Sequence, residues 1–209
     1  MPRPNILWIC TDSQRWDTLG CYGNTHVKTP HVDGLAGRGV LFEQVYCQNP
    51  LCTPSRGSFL TGRYPSTMGL RQNGQDIRET EVPVTRLLAE AGYHCGLVGK
   101  LHLSACDHRI RKFGKTEWWK HNRALFFQGT ERRINDGYAE VYWDHAPSGT
   151  NPASAYTKWL RDKGVTVHTT PRDDCKWVHH GMPVEHHQTT WCAEQSISFI
   201  QGHAGRPYP

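Results

Sequence analysis

Pro4-Asn-Ile-Leu-Trp-Ile-Cys-Thr-Asp12 is a nearly continuous apolar run of strand length that ends on a carboxylate. A strand covered on both faces by helices reads this way, because neither side of it meets water. Ligands gather beyond the carboxyl ends of such strands in open α/β sheets, so Asp12 stands where chemistry is expected.

Outward from this run, helical and strand patterns alternate. Thr29 and Pro30 suit an N-cap and a first helical residue, Val32, Leu35 and Ala36 share a face, and Gly37 and Gly39 stop the helix. Val40 to Cys47 reads as a second strand. Pro83 to Ala91 sets Val84, Leu87, Leu88 and Ala91 at helical spacing before Gly92, and Tyr93 to Val98 resumes as a short apolar run. His187 to Gln201 reads as a helix with Ala193, Ile197 and Ile200 on one side. Residues 104–183 are richer in Trp, His and charge; one strand is expected there, Tyr138 to Trp143, within an irregular insertion. The fold class is therefore α/β, a mostly parallel sheet with helices on both faces. A single domain covers 1–209, and with no strand after the last helix the sheet reads as unfinished, an N-terminal portion whose C-terminal remainder is absent.

Composition narrows the function. The 209 residues are 37% hydrophobic and 21% charged, which suits a folded chain rather than a disordered tract. No apolar stretch approaches the ~20 residues that cross a bilayer, and none resembles a secretory leader, so no membrane partner and a cytoplasmic location are expected. The 24 Lys and Arg against 19 Asp and Glu leave a net charge of +5. That excess suits a small anion, and without a basic stripe or a helix-turn-helix, zinc-finger or RNA-recognition pattern it argues against nucleic acid. The 8 Cys are read as mostly reduced thiols.

The densest chemical signal is Pro50-Leu-Cys-Thr-Pro-Ser-Arg-Gly-Ser-Phe-Leu-Thr-Gly62. Thr53 and Pro54 suit a helix start, so Cys52 is expected at a helix N-terminus, where backbone N–H groups favour anions. Arg56, four residues on, brings a planar guanidinium back towards the same end. A thiolate phosphatase loop separates its Cys and Arg by five residues, and position 58 here is Ser. The His pairs at 179–180 and 186–187, with Cys175 and Cys192, match no standard zinc spacing.

Cys52-Thr-Pro-Ser-Arg56 followed by Phe59-Leu-Thr-Gly62 resembles the signature of the type I, formylglycine-dependent sulfatases of the alkaline-phosphatase-like superfamily. Gly92-Tyr-His-Cys-Gly-Leu-Val-Gly-Lys-Leu-His102 is similar to that family's second signature, and Thr11-Asp12 with Gln14 to Gly23 looks like its first metal-binding segment. The resemblance implies that a maturation enzyme oxidises Cys52 to formylglycine, whose hydrated aldehyde supplies the nucleophilic oxygen. It implies Cys52, Arg56, Lys100 and His102 as catalytic residues, with Arg56 holding the hydrated group, Lys100 binding sulfate oxygens and His102 acting as base. It further implies a divalent metal, calcium foremost and magnesium or manganese otherwise, held by Asp12, Ser13 and the oxygen at position 52.

Ser13 stands where the family commonly has a second acidic or amide ligand, Cys95 where a small hydroxyl residue is usual, and Leu101 where an aromatic often precedes the His. Arg15, Asp17 and Asn73 could line the site, with structural roles favoured. The expected activity is hydrolysis of organic sulfate monoesters. The alternatives are a phosphonate or phosphate monoester hydrolase of the same superfamily and an inactive fragment that only binds, and these 209 residues alone are expected to be inactive.

Overall fold

In the computed structural model of the chain, the residues described are 3–106, 131, 133–145, 151, 153–167, 171–179 and 181–205. Much of the expected insertion at 104–183, together with His180 and the closing residues 206–209, lies outside them. The chain divides into two compact units, residues 1–46 and 47–209.

The first unit holds two 3-10 turns, Trp16–Thr18 and Gly20–Tyr22, and the helix α1 (Pro30–Ala36). Side-chain polar groups knit it. Asp33 accepts from the Cys21 N–H at 2.7 Å and from the Thr29 hydroxyl at 2.9 Å, while Thr29 Oγ1 accepts from the Gly20 N–H. Arg15 pairs with Asp17, so these two residues serve the local turn. Helix α1 forms where its Thr-Pro start and glycine stop place it, but Val32 and Leu35 on its apolar face are exposed.

Two strand expectations fail here. Neither 5–10 nor 40–47 enters a sheet among the described residues, and Ile6, Leu7, Trp8 and Ile9 are 60–75% exposed. Apolar content makes a segment fit for a central strand, yet a strand exists only when neighbours supply its ladder. The described sheets are built from other segments.

The second unit carries α2 (Cys52–Thr61), α3 (Pro65–Met68), α4 (Val84–Glu90), β1 (Cys95–Gly99), β2 (Tyr138–Trp143), α5 (Ala155–Asp162), β3 (Pro171–Arg172), β4 (Cys175–His179) and α6 (Gln188–His203). Strands β1 and β2 pair in parallel, with Leu97 opposite Val141 and Val98 opposite Tyr142. The short pair β3 and β4 is antiparallel.

The two-residue period of β1 and β2 sorts their side chains between two cores. Leu97, Val141 and Trp143 face a cluster with Leu60 of α2, Met68, Leu70, Ile77, Leu101 and Leu103. Val98 and Tyr142 face the other way, towards Tyr156 and Leu160 of α5 and Trp191 of α6. Helices thus cover both faces, the α/β arrangement expected. The stretch read as irregular supplies the expected strand at Tyr138–Trp143 and also α5, which its mixed composition does not show; α5 starts on Ser154, whose hydroxyl accepts the Thr157 N–H at 3.0 Å. No helix among the described residues is long and apolar enough to cross a membrane.

Candidate active site

Helix α2 begins at Cys52 itself, two residues earlier than the Thr-Pro start suggested, with extended Leu51 as its cap residue. Leu51 has no side-chain acceptor to offer. The role passes to Asn73, whose Oδ1 accepts the Thr53 N–H at 2.9 Å. Gly62 ends the helix in the left-handed conformation, φ 69°, where a Cβ would be strained. Its inner face is buried from Thr53 to Leu60, which holds the Cys52 end firmly against the core.

The loop after β1 delivers the cations. Lys100 Nζ lies 3.5 Å from Cys52 Sγ, and Arg56 Nη1 donates to the Lys100 carbonyl at 2.6 Å. One guanidinium therefore ties α2 to the loop that carries the lysine. Arg56 is almost fully buried, and such a charge is tolerated only with its N–H groups satisfied. The Lys100 ammonium thus stands beside the thiol at 52, and Arg56 grips the backbone that carries it.

His102 takes a different course. Its backbone sits at φ 57°, and its buried ring packs edge-on against His145 with centroids 4.4 Å apart. Among the described residues only Ser13, φ 56°, shares a positive φ without being glycine. Each such residue costs of order 1–3 kcal/mol and persists only where its surroundings fix it. For His102 the fixing group is Glu131: its carboxylate accepts the N–H groups of His102 at 3.0 Å and Leu103 at 2.6 Å, the Ser104 hydroxyl at 3.0 Å and the Trp143 indole N–H at 3.2 Å. The Cys106 thiol bridges onward, 3.2 Å from Glu131 Oε2 and 3.2 Å from His145 Nδ1. Burial pushes the Glu131 carboxyl above its ordinary value, against the lowering effect of those donors.

Glu131 was missed in the sequence because it opens a Glu-Arg-Arg run that reads as a solvated charge cluster. Cys106 and His145 carry no spacing that marks them. Asn73 accepts from the helix start, the structural role the sequence favours for it.

Asp12 and Ser13 belong to the first unit, and Cys52, Arg56, Lys100 and His102 to the second. Ser13 Oγ donates to Asp12 Oδ1 at 3.2 Å, so one exposed turn presents a carboxylate beside a neutral hydroxyl. That all-oxygen pair suits a hard cation of the calcium or magnesium kind. Cys175 and Cys192 are free thiols, and neither belongs to a metal-competent cluster among the described residues.

Comparison with known proteins places this geometry. The model of the family described as Sulfatase matches residues 4–198. The steryl-sulfatase of Rattus norvegicus is 44% identical over 113 residues, covering 49% of this chain and 20% of the relative. The ulvan-active sulfatase of Formosa agariphila is 38% identical over 153 residues, covering 68% of this chain and 29% of the relative. The chain thus spans between a fifth and a third of the length of these relatives. The solved phosphonate monoester hydrolase of Agrobacterium radiobacter superposes over 99% of this chain and 39% of its own, with a TM-score of 0.70 at 24% identity, a likeness of fold. With the family model matched across nearly all its length, the chain belongs to the sulfatase family.

Proposed function

We infer that the protein hydrolyses organic sulfate monoesters at the α2 N-terminus, with the side chain at position 52 as the source of the nucleophile. The observation that carries this reading is the contact of Lys100 Nζ with Cys52 Sγ, held in place by Arg56 through the Lys100 carbonyl. A sulfate ester carries one negative charge and sheds more onto its leaving oxygen, so cations fixed beforehand around the reacting atoms favour the transition state over the ground state.

The family resemblance and the donor chemistry together support two groups that complete the site. Formylglycine made from Cys52 would supply, as its hydrate, one oxygen to attack sulfur and a second to release sulfate, and a divalent cation would withdraw charge from both oxygens. By the family resemblance, Asp12 and Ser13 are the residues that would hold the cation. The Lys100 ammonium binds the sulfate oxygens and orients the ester. Arg56 fixes the loop that carries Lys100 and, by the family resemblance, holds the hydroxyls at 52. His102, by the same resemblance, accepts the proton that must leave before sulfate is released.

Mass spectrometry of the peptide spanning Cys52, from protein made in a host with the maturation enzyme, tests the nucleophile. Conversion exchanges the sulfur and two hydrogens for one oxygen; only unmodified thiol would overturn the reading. A panel of sulfate and phosphonate monoesters, assayed on protein spanning the relatives' full length, tests the substrate class. Faster turnover of the phosphonates would replace the sulfatase reading by the hydrolase alternative.

A further inference from the structure

Away from the Cys52 cluster, at the opposite end of β1, three side chains from three elements converge on one oxygen. His94 precedes β1, Glu140 lies on β2 opposite Gly96, and His203 closes α6. Glu140 Oε1 lies 2.8 Å from His94 Nε2 and 3.1 Å from His203 Nε2, and the three ligand atoms all fall within 4.8 Å of one another.

Proton accounting shows why this is more than a salt bridge. His203 Nδ1 lies 2.8 Å from the Phe199 carbonyl, which can only accept, so Nδ1 carries a proton. In the neutral ring Nε2 then bears a lone pair, and it faces a carboxylate oxygen that is itself an acceptor. The two acceptors stand 3.1 Å apart, a contact that a second proton on His203 or a metal ion between them would satisfy. The first choice sets an imidazolium against a stacked imidazole, with the His94 and His203 ring centroids 4.4 Å apart. The second uses all three side chains, with the His94 proton on Nδ1 and its Nε2 lone pair turned to the ion. An Nδ1–H anchored on a backbone carbonyl is the usual support for a histidine that binds metal through Nε2, because it fixes the tautomer and the ring. Phe199 closes the other flank, stacked near both rings, and limits water on that side.

We propose that His94, Glu140 and His203 form a binding site for a divalent transition-metal ion of the zinc class, which fastens the end of α6 to the β1–β2 sheet. Two imidazoles and one carboxylate are the donor set such ions prefer, whereas calcium and magnesium take oxygen ligands. Zinc–ligand bonds of ~2.0–2.1 Å in a tetrahedron set its ligands about 3.3 Å apart, so each histidine nitrogen would draw back slightly from the Glu140 oxygen and the two nitrogens, within 4.8 Å of each other, would settle at the same spacing. Solvent fills the fourth position, since the site lies at the surface. The site does not depend on the sulfatase reading, since it stands at the start of β1 and Lys100 follows that strand's other end.

The test is titration of the metal-stripped 209-residue chain with zinc, and with cobalt as a spectroscopic substitute, each salt alone. The expected result is saturable binding that excess calcium or magnesium does not displace. The cobalt spectrum of this equivalent should show no thiolate charge-transfer band. His203→Ala and Glu140→Gln should each bind one equivalent fewer, or bind it roughly 100-fold more weakly. Zinc should also raise the wild-type melting temperature, and not that of the variants. Glu140→Gln keeps the side-chain shape, so it decides the matter if His203→Ala fails to fold. Unchanged stoichiometry and affinity in Glu140→Gln would overturn the proposal, as would a thiolate band on the equivalent that the variants lose, or no saturable binding at all.

Discussion

Lys100 and Glu131 act on the same loop from two sides, one towards the reacting atoms and one towards the core. Lys100→Ala removes the cation nearest Cys52 while leaving the carbonyl that Arg56 grips. The expected outcome is a fall in kcat/KM for a sulfate ester of about 10²–10³-fold with an unaltered melting temperature, measured by steady-state kinetics and calorimetry. Glu131→Gln does the reverse. Its amide NH₂ meets donors from the His102 and Leu103 backbone, the Ser104 hydroxyl and the Trp143 indole, so a loss of about 1–3 kcal/mol is expected in denaturant unfolding. The pH dependence follows from burial, which raises the Glu131 and Asp144 carboxyls in the folded chain. The folded state then binds these protons more readily than the unfolded state. Their contribution is complete below the unfolded carboxylate value of about 4 and is lost as pH rises through the raised folded values. Unfolding measured from pH ~4 upward should show stability falling, with a smaller slope in Glu131→Gln, where Asp144 alone contributes.

Among the elements, the helices depend on different kinds of support. Helix α5 is capped by its own Ser154, so Ser154→Ala should cost about 0.5–2 kcal/mol, read from unfolding curves. Helix α4 is held by contact. Gly137, at φ 82°, lets the turn before β2 approach so closely that a Cβ would sit 2.4 Å from the Thr85 carbonyl oxygen and 2.5 Å from Arg86 Cα. Both atoms are backbone, and neither can swing aside. Gly137→Ala should therefore cost about 2–5 kcal/mol, combining left-handed strain with overpacking, and amide exchange should rise in α4 and β2 together. Against α6 the obstacle is softer: a Cβ on Gly96 meets the Phe199 ring at 2.6 Å, which a side-chain shift can relieve.

At the scale of the molecule, the two units differ in what holds them. The second has two apolar clusters against one parallel strand pair; the first has its polar turns and no buried residue among those described. Ile6, Leu7, Trp8 and Ile9, with Val45 and Tyr46, leave large apolar side chains in contact with water. Exposed apolar patches of this kind mark surfaces that seek partners. The 209-residue chain is expected to self-associate and to bind a hydrophobic dye, and Ile9→Lys should weaken both. Light scattering that shows a monomer at every concentration would contradict this.

The sequence by itself determined the elements whose signals are local. The α1, α4 and α6 helices, the β1 and β2 strands and the Cys52-to-Arg56 turn follow from residue spacing, caps and glycine stops, which act over a few residues. The family signatures likewise lie in short contiguous runs. Only the tertiary structure decided which apolar runs become strands, because a ladder needs a partner from elsewhere in the chain, and 5–10 and 40–47 join none of the described sheets. It also decided that Glu131, Cys106 and His145 stand behind His102, and that His94, Glu140 and His203 share one point. Those groups are separated by up to 109 positions, and no local periodicity encodes a contact that exists only after the sheet and α6 have packed.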